Sequence, residues 1–338
     1  MGRLAFLAKR LANMNYRGLF DAVDAVAERS GRAKAVVLAD MALCAVRYQA
    51  GYSDYQMFEF ESIPASVRAT YITRGKNNAY VKKLNNKADW PLFEDKAQFL
   101  RLFDGLHGRA WLDLRESDAQ TLARFTKEHP SIVAKPPNGT CGRGIDFYDI
   151  EAGEAAEAVD LYERLCTKGQ YVVEQVLEQH PVVSRLHPPS VNTLRLVTIV
   201  KDGVPELMFS CIRIGNGARV DNVNSGGMAA LLDVQAGIIC SPAADKTGAS
   251  HHRHPVSDVE LVGYHIPFCA EAVALVKGAA LRVPGIRYVG WDVAIAPDRP
   301  VLIEGNQFPG HDLYQFPVHL GEDRKGLAPI FDKAVGPV

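Results

Sequence analysis

The spacing of apolar positions divides this chain into two parts. Leu4, Leu7, Leu11, Met14, Leu19, Val23 and Val26 recur at helical intervals from about Leu4 to Ala27. Ala33 to Tyr48 predicts a second, Ala-rich helix, and Tyr52 to Phe60 with Ser66 to Leu84 extends a mostly helical region through residue 89. From Trp90, helical and alternating patterns mix. A helix over Asp95 to Leu106, a strand near Trp111 to Leu114 and a helix N-capped by Ser117 and running to Glu128 come first. Strands Ile132–Pro136 and Ile145–Ile150 enclose a glycine-rich loop, and helix Ala152–Lys168 and strand Tyr171–Glu174 complete a module over 90–180. Over 181–338 the pattern turns to strands: Asn192–Val200, Pro205–Ile214 and Gly227–Val234. Helix Pro267–Arg282 then precedes a closing hairpin. The fold class is α+β.

That hairpin carries the densest chemistry. Trp291–Ala296 and Val301–Ile303 flank the turn Pro297-Asp298-Arg299-Pro300, with Asp292 on one arm and Glu304 and Asn306 on the other. Strand alternation puts Glu304 and Asn306 on one face, and a short loop brings Asp292 opposite one of them. Two carboxylates and an amide oxygen make a hard, oxygen-only set suited to Mg²⁺. The plain alternative has Asp292 capping a strand and Glu304 on a solvated face. The cost of an unpaired buried carboxylate among Val, Ile and Leu favours the cation site.

The loop Pro137-Asn138-Gly139-Thr140-Cys141-Gly142-Arg143-Gly144 matches neither G-x-x-x-x-G-K-[ST] nor G-x-G-x-x-G. It reads as a phosphate lid or as an ordinary glycine-rich turn. Lys135 tips the balance, because an apolar strand is a poor place for a solvated lysine and a good one for a phosphate partner. Lys96 opens a helix of the same module, where spacing alone suggests an exposed lysine.

Charge and cysteine usage narrow the classes. The formal net charge is −1, with signs interspersed, which argues against a nucleic-acid groove or a polybasic membrane surface. Six cysteines without a C-x-x-C pair suggest neither a zinc knuckle nor a disulfide framework, and fit reduced thiols in a cytoplasmic protein. No window approaches a transmembrane segment, and Lys9, Arg10 and Arg17 interrupt any secretory core. The basic N-terminal helix could lie on a membrane or a partner, although helix packing explains the same stripe. His251, His252 and His254 lack a cysteine or carboxylate at ligand spacing, and read as a mobile loop over an acceptor pocket.

Taken in order, Asp-Lys at 95–96, Val-Ala-Lys-Pro at 133–136 with its glycine loop, Val-Val-Glu-Gln-Val-Leu at 172–177, an arginine-bearing strand, and Asp with Glu-x-Asn on a late hairpin resemble the ATP-grasp superfamily of carboxylate-amine ligases. SVNTLRLVTI from Ser190, DNVNSGGMAALLD from Asp221 and GWDVAIAPDRPVLIEGNQFPG from Gly290 most resemble its sugar-transfer-associated members of polysaccharide clusters. The resemblance covers roughly Pro91 to Pro317. It implies an ATP-grasp fold behind a helical N-terminal region, with ATP and Mg²⁺ as cofactors.

The resemblance also implies roles. Lys96 and Lys135 would hold phosphates under a lid of Gly139, Thr140, Cys141, Gly142 and Gly144. Glu174, Gln175, Val176 and Leu177 would meet the adenine edge, and Glu178 the ribose. Asp292, Glu304 and Asn306 match magnesium ligands. Arg195 and Asn192 would meet the γ-phosphate and reacting carboxylate, with a structural salt bridge as the alternative for Arg195. Arg213, Asn222, Asn224, Ser225, Gly226, Gly227 and His311 would line the substrate space. Arg143 stands where lysine is common, Arg299 where glycine is common, and the helical N-terminus replaces a Rossmann-like domain. The implied reaction joins a small-molecule carboxylate to an amine through an acyl phosphate, the substrate being a sugar acid, amino acid or peptide. A small-molecule kinase and a non-catalytic nucleotide-binding module are the alternatives; oligomeric state is left open.

Overall fold

A computed structural model describes residues 15–139, 144–150, 155–217, 221 and 223–338, and the counts below refer to these. The chain forms two compact units, residues 1–79 with 315–338, and residues 80–314. The predicted positions Leu4 to Met14, the lid residues Thr140, Cys141, Gly142 and Arg143, and Asn222 lie outside the described residues. No described helix is long and apolar enough to cross a membrane.

In the first unit, helix Tyr16–Ser30 starts at Asn15, whose side chain accepts from the Gly18 N–H, and helix Lys34–Arg47 follows. The described end of the predicted apolar stripe is used: Leu19, Val23 and Val26 pack with Val37, Met41, Cys44 and the rings of Tyr55, Phe58, Phe60 and Tyr71. Gln315 joins this unit like a strand partner. Its amide accepts from Ile72 N–H and donates to Ile72 C=O, each at 2.9 Å, while fully buried.

The second unit contains twelve strands: β1 (Trp111–Asp113), β2 (Ser131–Lys135), β3 (Asp146–Asp149), β4 (Val172–Gln175), β5 (Thr193–Lys201), β6 (Val204–Ile214), β7 (Met228–Asp233), β8 (Ile238–Ile239), β9 (Ala243–Ala244), β10 (Ser250–His251), β11 (Tyr288–Ile295) and β12 (Pro300–Asn306). Two antiparallel sheets result. The first has the order β1-β4-β2-β3; the second runs β10-β9-β7-β6-β5-β11-β12, with β8 beside β7. On the first, Ile132, Ala134 and Val173 pack against Leu122 and Phe125 of helix Ala119–Glu128 and Leu161 and Leu165 of helix Ala155–Thr167. The N-cap of helix Ala119–Glu128 is Asp118, accepting from Thr121 N–H at 2.8 Å, and not Ser117. Both residue types serve at this position, so local sequence could not separate neighbours.

The second sheet sorts its residues by face. Leu194, Leu196, Ile212, Met228, Ala230, Val289, Trp291 and Val293 point toward Ala272, Val276 and Ala279 of helix Cys269–Ala280 and toward Phe93 and Phe103. Alternation therefore sends Thr193, Arg195, Arg213, Gly290 and Asp292 to the opposite face. A bulge sustains this pattern at the last strand pair. Asp292 is opposite Glu304 and Val293 opposite Leu302, so Ile303 is extra. In a regular strand Leu302 and Glu304, two apart, would share a face; with the bulge, Leu302 enters the core and Glu304 lies beside Asp292. Asn85 anchors the start of β11, its amide donating to the carbonyls of Tyr288 and Gln307 and accepting from the N–H of Arg287 and Tyr288.

Candidate functional site

Two charged constellations lie on the polar faces of the two sheets. On the first, Lys135 and Glu174 belong to neighbouring strands, and Lys135 Nζ donates to Glu174 Oε1 at 2.7 Å. The other Glu174 oxygen is held by Arg109. Burial pushes this carboxyl upward, but Arg109 and Lys135 outweigh it and bring its pKa down to about 2. The helix Lys96–Leu102 packs on this face through Ala97 and Leu100 against Val172. Lys96 Nζ donates to the Gly139 carbonyl at 3.0 Å. Burial lowers the Lys96 pKa; Glu304 pulls it upward, Lys135 pushes it further down and Glu174 offsets that in part. Lys96, Lys135, Glu174 and Glu304 thus share one electrostatic neighbourhood. At the far end of the loop, Gly144 C=O accepts from Gln170 Nε2 at 2.9 Å.

On the second sheet, Arg195 faces Asp292 across β5 and β11 and donates from Nε to Oδ1 at 2.6 Å and from Nη2 to Oδ2 at 3.0 Å. Arg213 donates from Nη1 to Asp292 Oδ2 and from Nη2 to Asp221 Oδ1, both at 2.7 Å. Asp221 also accepts from the backbone N–H of Thr193 at 3.1 Å and from its hydroxyl. All four charged groups are buried. Burial raises the Asp292 pKa, but Arg195 and Arg213 overcome it and hold it below its usual range; for Asp221 burial wins and the pKa rises. Arg195 crosses over Gly290, where a Cβ would lie 3.4 Å from Arg195 Cδ and 2.9 Å from Pro309 Cβ.

The hairpin carboxylates differ sharply. Asp292 is 4% exposed and both its oxygens accept from arginine, whereas Glu304 is exposed and makes no ion pair among the described residues. Asn306 donates from Nδ2 to Gly290 C=O at 3.3 Å, which leaves Oδ1 as its ligating atom. No cluster of three His, Cys, Asp or Glu among the described residues is arranged to hold a metal. The oxygens of Glu304 and Asn306 are of the type a hard cation accepts, and Asp292, engaged by two arginines, could add only a remaining lone pair of Oδ1.

A cleft of about 150 Å³ lies between Gln175–Glu178 and the hairpin turn Ala296–Arg299, with Gly108 and Arg109 along it. The N–H groups of Gln175 and Val176 are already bonded, to Ala110 C=O and Ser131 C=O. Leu177 packs against Ala294, Ala296 and Val301.

Other expected site residues fall elsewhere. Asn192 is fully buried, and its amide accepts from Gly215 N–H and Ser190 Oγ and donates toward Val183 C=O, His187 C=O and Gln179 Oε1. The Asn224 side chain is outside the described set; Ser225 and Gly226 are exposed, while Gly227 is buried under the Asp221 carbonyl. His311 adjoins Asp312, which pairs with Lys246 at 2.9 Å.

The histidine stretch is more built than a mobile loop. His251 lies in β10, its ring 3.3 Å from Asp245, and His254 is 1% exposed. His254 Nδ1 accepts from Val256 and Ser257 N–H, so Nε2 carries the proton and donates to Gly215 C=O at 2.8 Å. A tertiary partner 39 positions away left no local signal. Arg109 was also missed, being one arginine in a short Gly/Arg loop.

A profile of sugar-transfer associated ATP-grasp domains matches residues 75–322. Solved structures with similarity include the ATP-grasp ligase PsnB complexed with a minimal precursor, at 16% identity and TM-score 0.43 over 75% of this chain and 63% of that one. D-alanyl-alanine synthetase A from Vibrio cholerae O1 biovar eltor str. N16961 matches at 11% identity and TM-score 0.40 over 72% and 64%. Biotin carboxylase from Campylobacter jejuni in a β,γ-ATP complex matches at 12% and 0.44 over 73% and 47%. The chain thus spans less than two thirds of the length of each of these three. No curated protein matches. Because the profile covers most of the chain, including both charged constellations and the hairpin, the protein belongs to the sugar-transfer associated ATP-grasp family and has the ATP-grasp fold.

Proposed function

We propose that this protein is an ATP-dependent carboxylate-amine ligase. The supporting observation is that Lys96 bonds the Gly139 carbonyl where the glycine loop begins and Lys135 sits on the strand leading into that loop, with the field of the open carboxylate Glu304 reaching Lys96, which suits a triphosphate beside a cation. The cleft between Gln175–Glu178 and Ala296–Arg299 takes the adenine end. Lys96 and Lys135 bind the phosphates, beneath a lid that includes Gly139 and Gly144. Glu304 and Asn306, with the open lone pair of Asp292, would hold Mg²⁺, whose charge eases approach of an anionic acid to an anionic phosphate.

In the reaction, a substrate carboxylate oxygen attacks the γ-phosphorus and the bond to the ADP oxygen breaks. The acyl phosphate then reacts with an amine: the C–N bond forms, phosphate leaves with the C–O electron pair, and the nitrogen loses a proton. Arg195 and Arg213 orient the acid and offset charge on the transferring group and the later oxyanion. Asn192, whose amide is engaged, acts by fixing the start of β5. His311 with Ser225, Gly226 and Gly227 forms the wall of the acceptor space. The substrate is a sugar acid, amino acid or peptide, in keeping with a role in polysaccharide biosynthesis in the cytoplasm.

The test is ADP and phosphate release with Mg-ATP against a panel of carboxylates, with and without hydroxylamine, for wild type and Glu304→Ala. Hydroxamate formation that is lost in the variant supports acyl-phosphate chemistry. ADP release that depends on an alcohol and yields a stable phosphoester replaces the ligase with a kinase.

A further inference from the structure

Arg109 belongs to none of the motifs that carry the proposed function, yet it makes the most connections of any side chain around the cleft. It is buried and donates from Nε to Glu174, from Nη1 to the carbonyls of His107 and Leu302 at 3.0 Å each, and from Nη2 to Ile303 C=O at 3.5 Å. Leu302 and Ile303 are on β12 and Glu174 is on β4, so one guanidinium bridges the edge of the second sheet to the first. The adjoining backbone makes the same connection: Leu302 N–H donates to Leu106 C=O at 2.8 Å, and Gln175 N–H to Ala110 C=O at 2.9 Å.

Glu174 is 2% exposed and needs a cation at all times, since a buried carboxylate left unpaired is strongly unfavourable. Its Oε1 holds Lys135 and its Oε2 holds Arg109. Were Lys135 its sole partner, moving that ammonium to another anion would strand the carboxylate. With Arg109 in place, the carboxylate stays compensated while Lys135 moves. Arg109 is fixed by three backbone carbonyls and cannot follow a ligand, whereas Lys135 has one partner among the described residues, a flexible stem and 14% side-chain exposure.

We propose that Arg109 is a positioning residue that keeps Glu174 compensated, so that the Lys135 ammonium can transfer from that carboxylate to a polyanionic nucleotide in the adjoining cleft. The nucleotide part rests on the function proposed above; the sharing of Glu174 does not.

The test follows acetylation of Lys135 by an N-hydroxysuccinimide ester, read by mass spectrometry, together with Mg-ATP affinity by calorimetry. The proteins are wild type, Arg109→Met, Arg109→Lys and Arg109→Met/Glu174→Gln. In Arg109→Met the carboxylate is left with Lys135 alone, so acetylation slows and Mg-ATP binds more weakly, each by about tenfold. Arg109→Lys keeps a cation but loses the fork to β12, and stays near wild type if compensation is the role. The double variant removes the stranded charge and restores the acetylation rate, which a merely structural role for Arg109 would not allow. Equal acetylation in wild type and Arg109→Met, or a double variant as slow as the single one, overturns the proposal. Should Arg109→Met not fold, Glu174→Gln alone must raise the acetylation rate, and no rise overturns it. A wild type that takes up no Mg-ATP removes the nucleotide reading, and the acetylation series then decides the sharing of Glu174 by itself.

Discussion

Arg195 and Asp292 stand directly opposite each other on neighbouring strands and are joined by two hydrogen bonds, which makes Asp292 an internal counter-ion before it is anything else. Glu304, its partner across the hairpin, faces solvent. The two carboxylates therefore respond differently to neutralisation. Asp292→Asn leaves Arg195 and Arg213 under-compensated in a buried site and should cost about 3–5 kcal/mol of stability. Glu304→Gln should change stability by no more than about 0.5 kcal/mol while weakening Mg-ATP binding. Urea unfolding and calorimetry on both variants decide this; equal destabilisation would mean that Glu304 has a structural partner.

Lys96 bonds the loop carbonyl of Gly139 and lies near Glu304. Lys96→Met removes one proposed phosphate contact and should lower the rate of ATP-dependent hydroxamate formation on the order of 10²-fold. Unchanged turnover would return Lys96 to the role of an ordinary helix lysine.

Buried histidines set the acid limit. His254 accepts two N–H bonds at Nδ1, and His187 accepts from Gly217 N–H at Nε2 while its Nδ1 meets Ser190 Oγ at 2.8 Å. Both are neutral donors and acceptors, and burial lowers both pKa values below 6.5. With the folded pKa depressed, the unfolded chain takes up protons first, so stability is complete above pH 6.5 and falls as pH drops below it. The carboxylate Glu174 adds a second loss, beginning near its ordinary pKa of 4.5 and continuing toward 2. Urea midpoints from pH 7.5 to 5 should decline for wild type and decline less steeply for His254→Gln, whose side chain does not titrate.

Gly108 lies at φ +60°, and a Cβ there would be 2.4 Å from Val301 Cγ1. Gly108→Ala therefore combines backbone strain with a clash against β12, at a cost of about 1–3 kcal/mol. Thermal unfolding measures it. The same variant should weaken Mg-ATP binding, because the displaced segment carries Arg109 and lines the cleft.

Local patterns were enough to locate most of these elements. Apolar runs bounded by turn residues marked β5, β6 and β7, and helical spacing marked Cys269–Ala280, because their apolar residues join a single core. The oxygen-rich hairpin was visible as a hairpin, but its bulge was not, since nothing in Val-Leu-Ile-Glu announces that Ile303 has no opposite number. Partners far along the chain were the main omission. Asp292 meets Arg195 across 97 positions, Arg109 meets Glu174 across 65, and Gln315 meets Ile72 across 243. Each is a polar residue whose neighbours in sequence look ordinary; its burial exists only once the strands or helices have assembled.

Position 290 has a consequence for how this site can change. Arg195 reaches Asp292 by passing over a residue with no side chain, so the arginine on one strand and the glycine on the next work as a matched pair. A methyl group at 290 would meet Arg195 Cδ at an ordinary 3.4 Å but press on Pro309 Cβ at 2.9 Å, so Pro309 has to move before it fits. Shortening Arg195 alone exposes Asp292 to an unbalanced charge. Neither first step is neutral, so the route from this arrangement to another passes through a less stable intermediate, and a selection for second-site suppressors of Gly290→Ala should return changes at Pro309 before changes at Arg195.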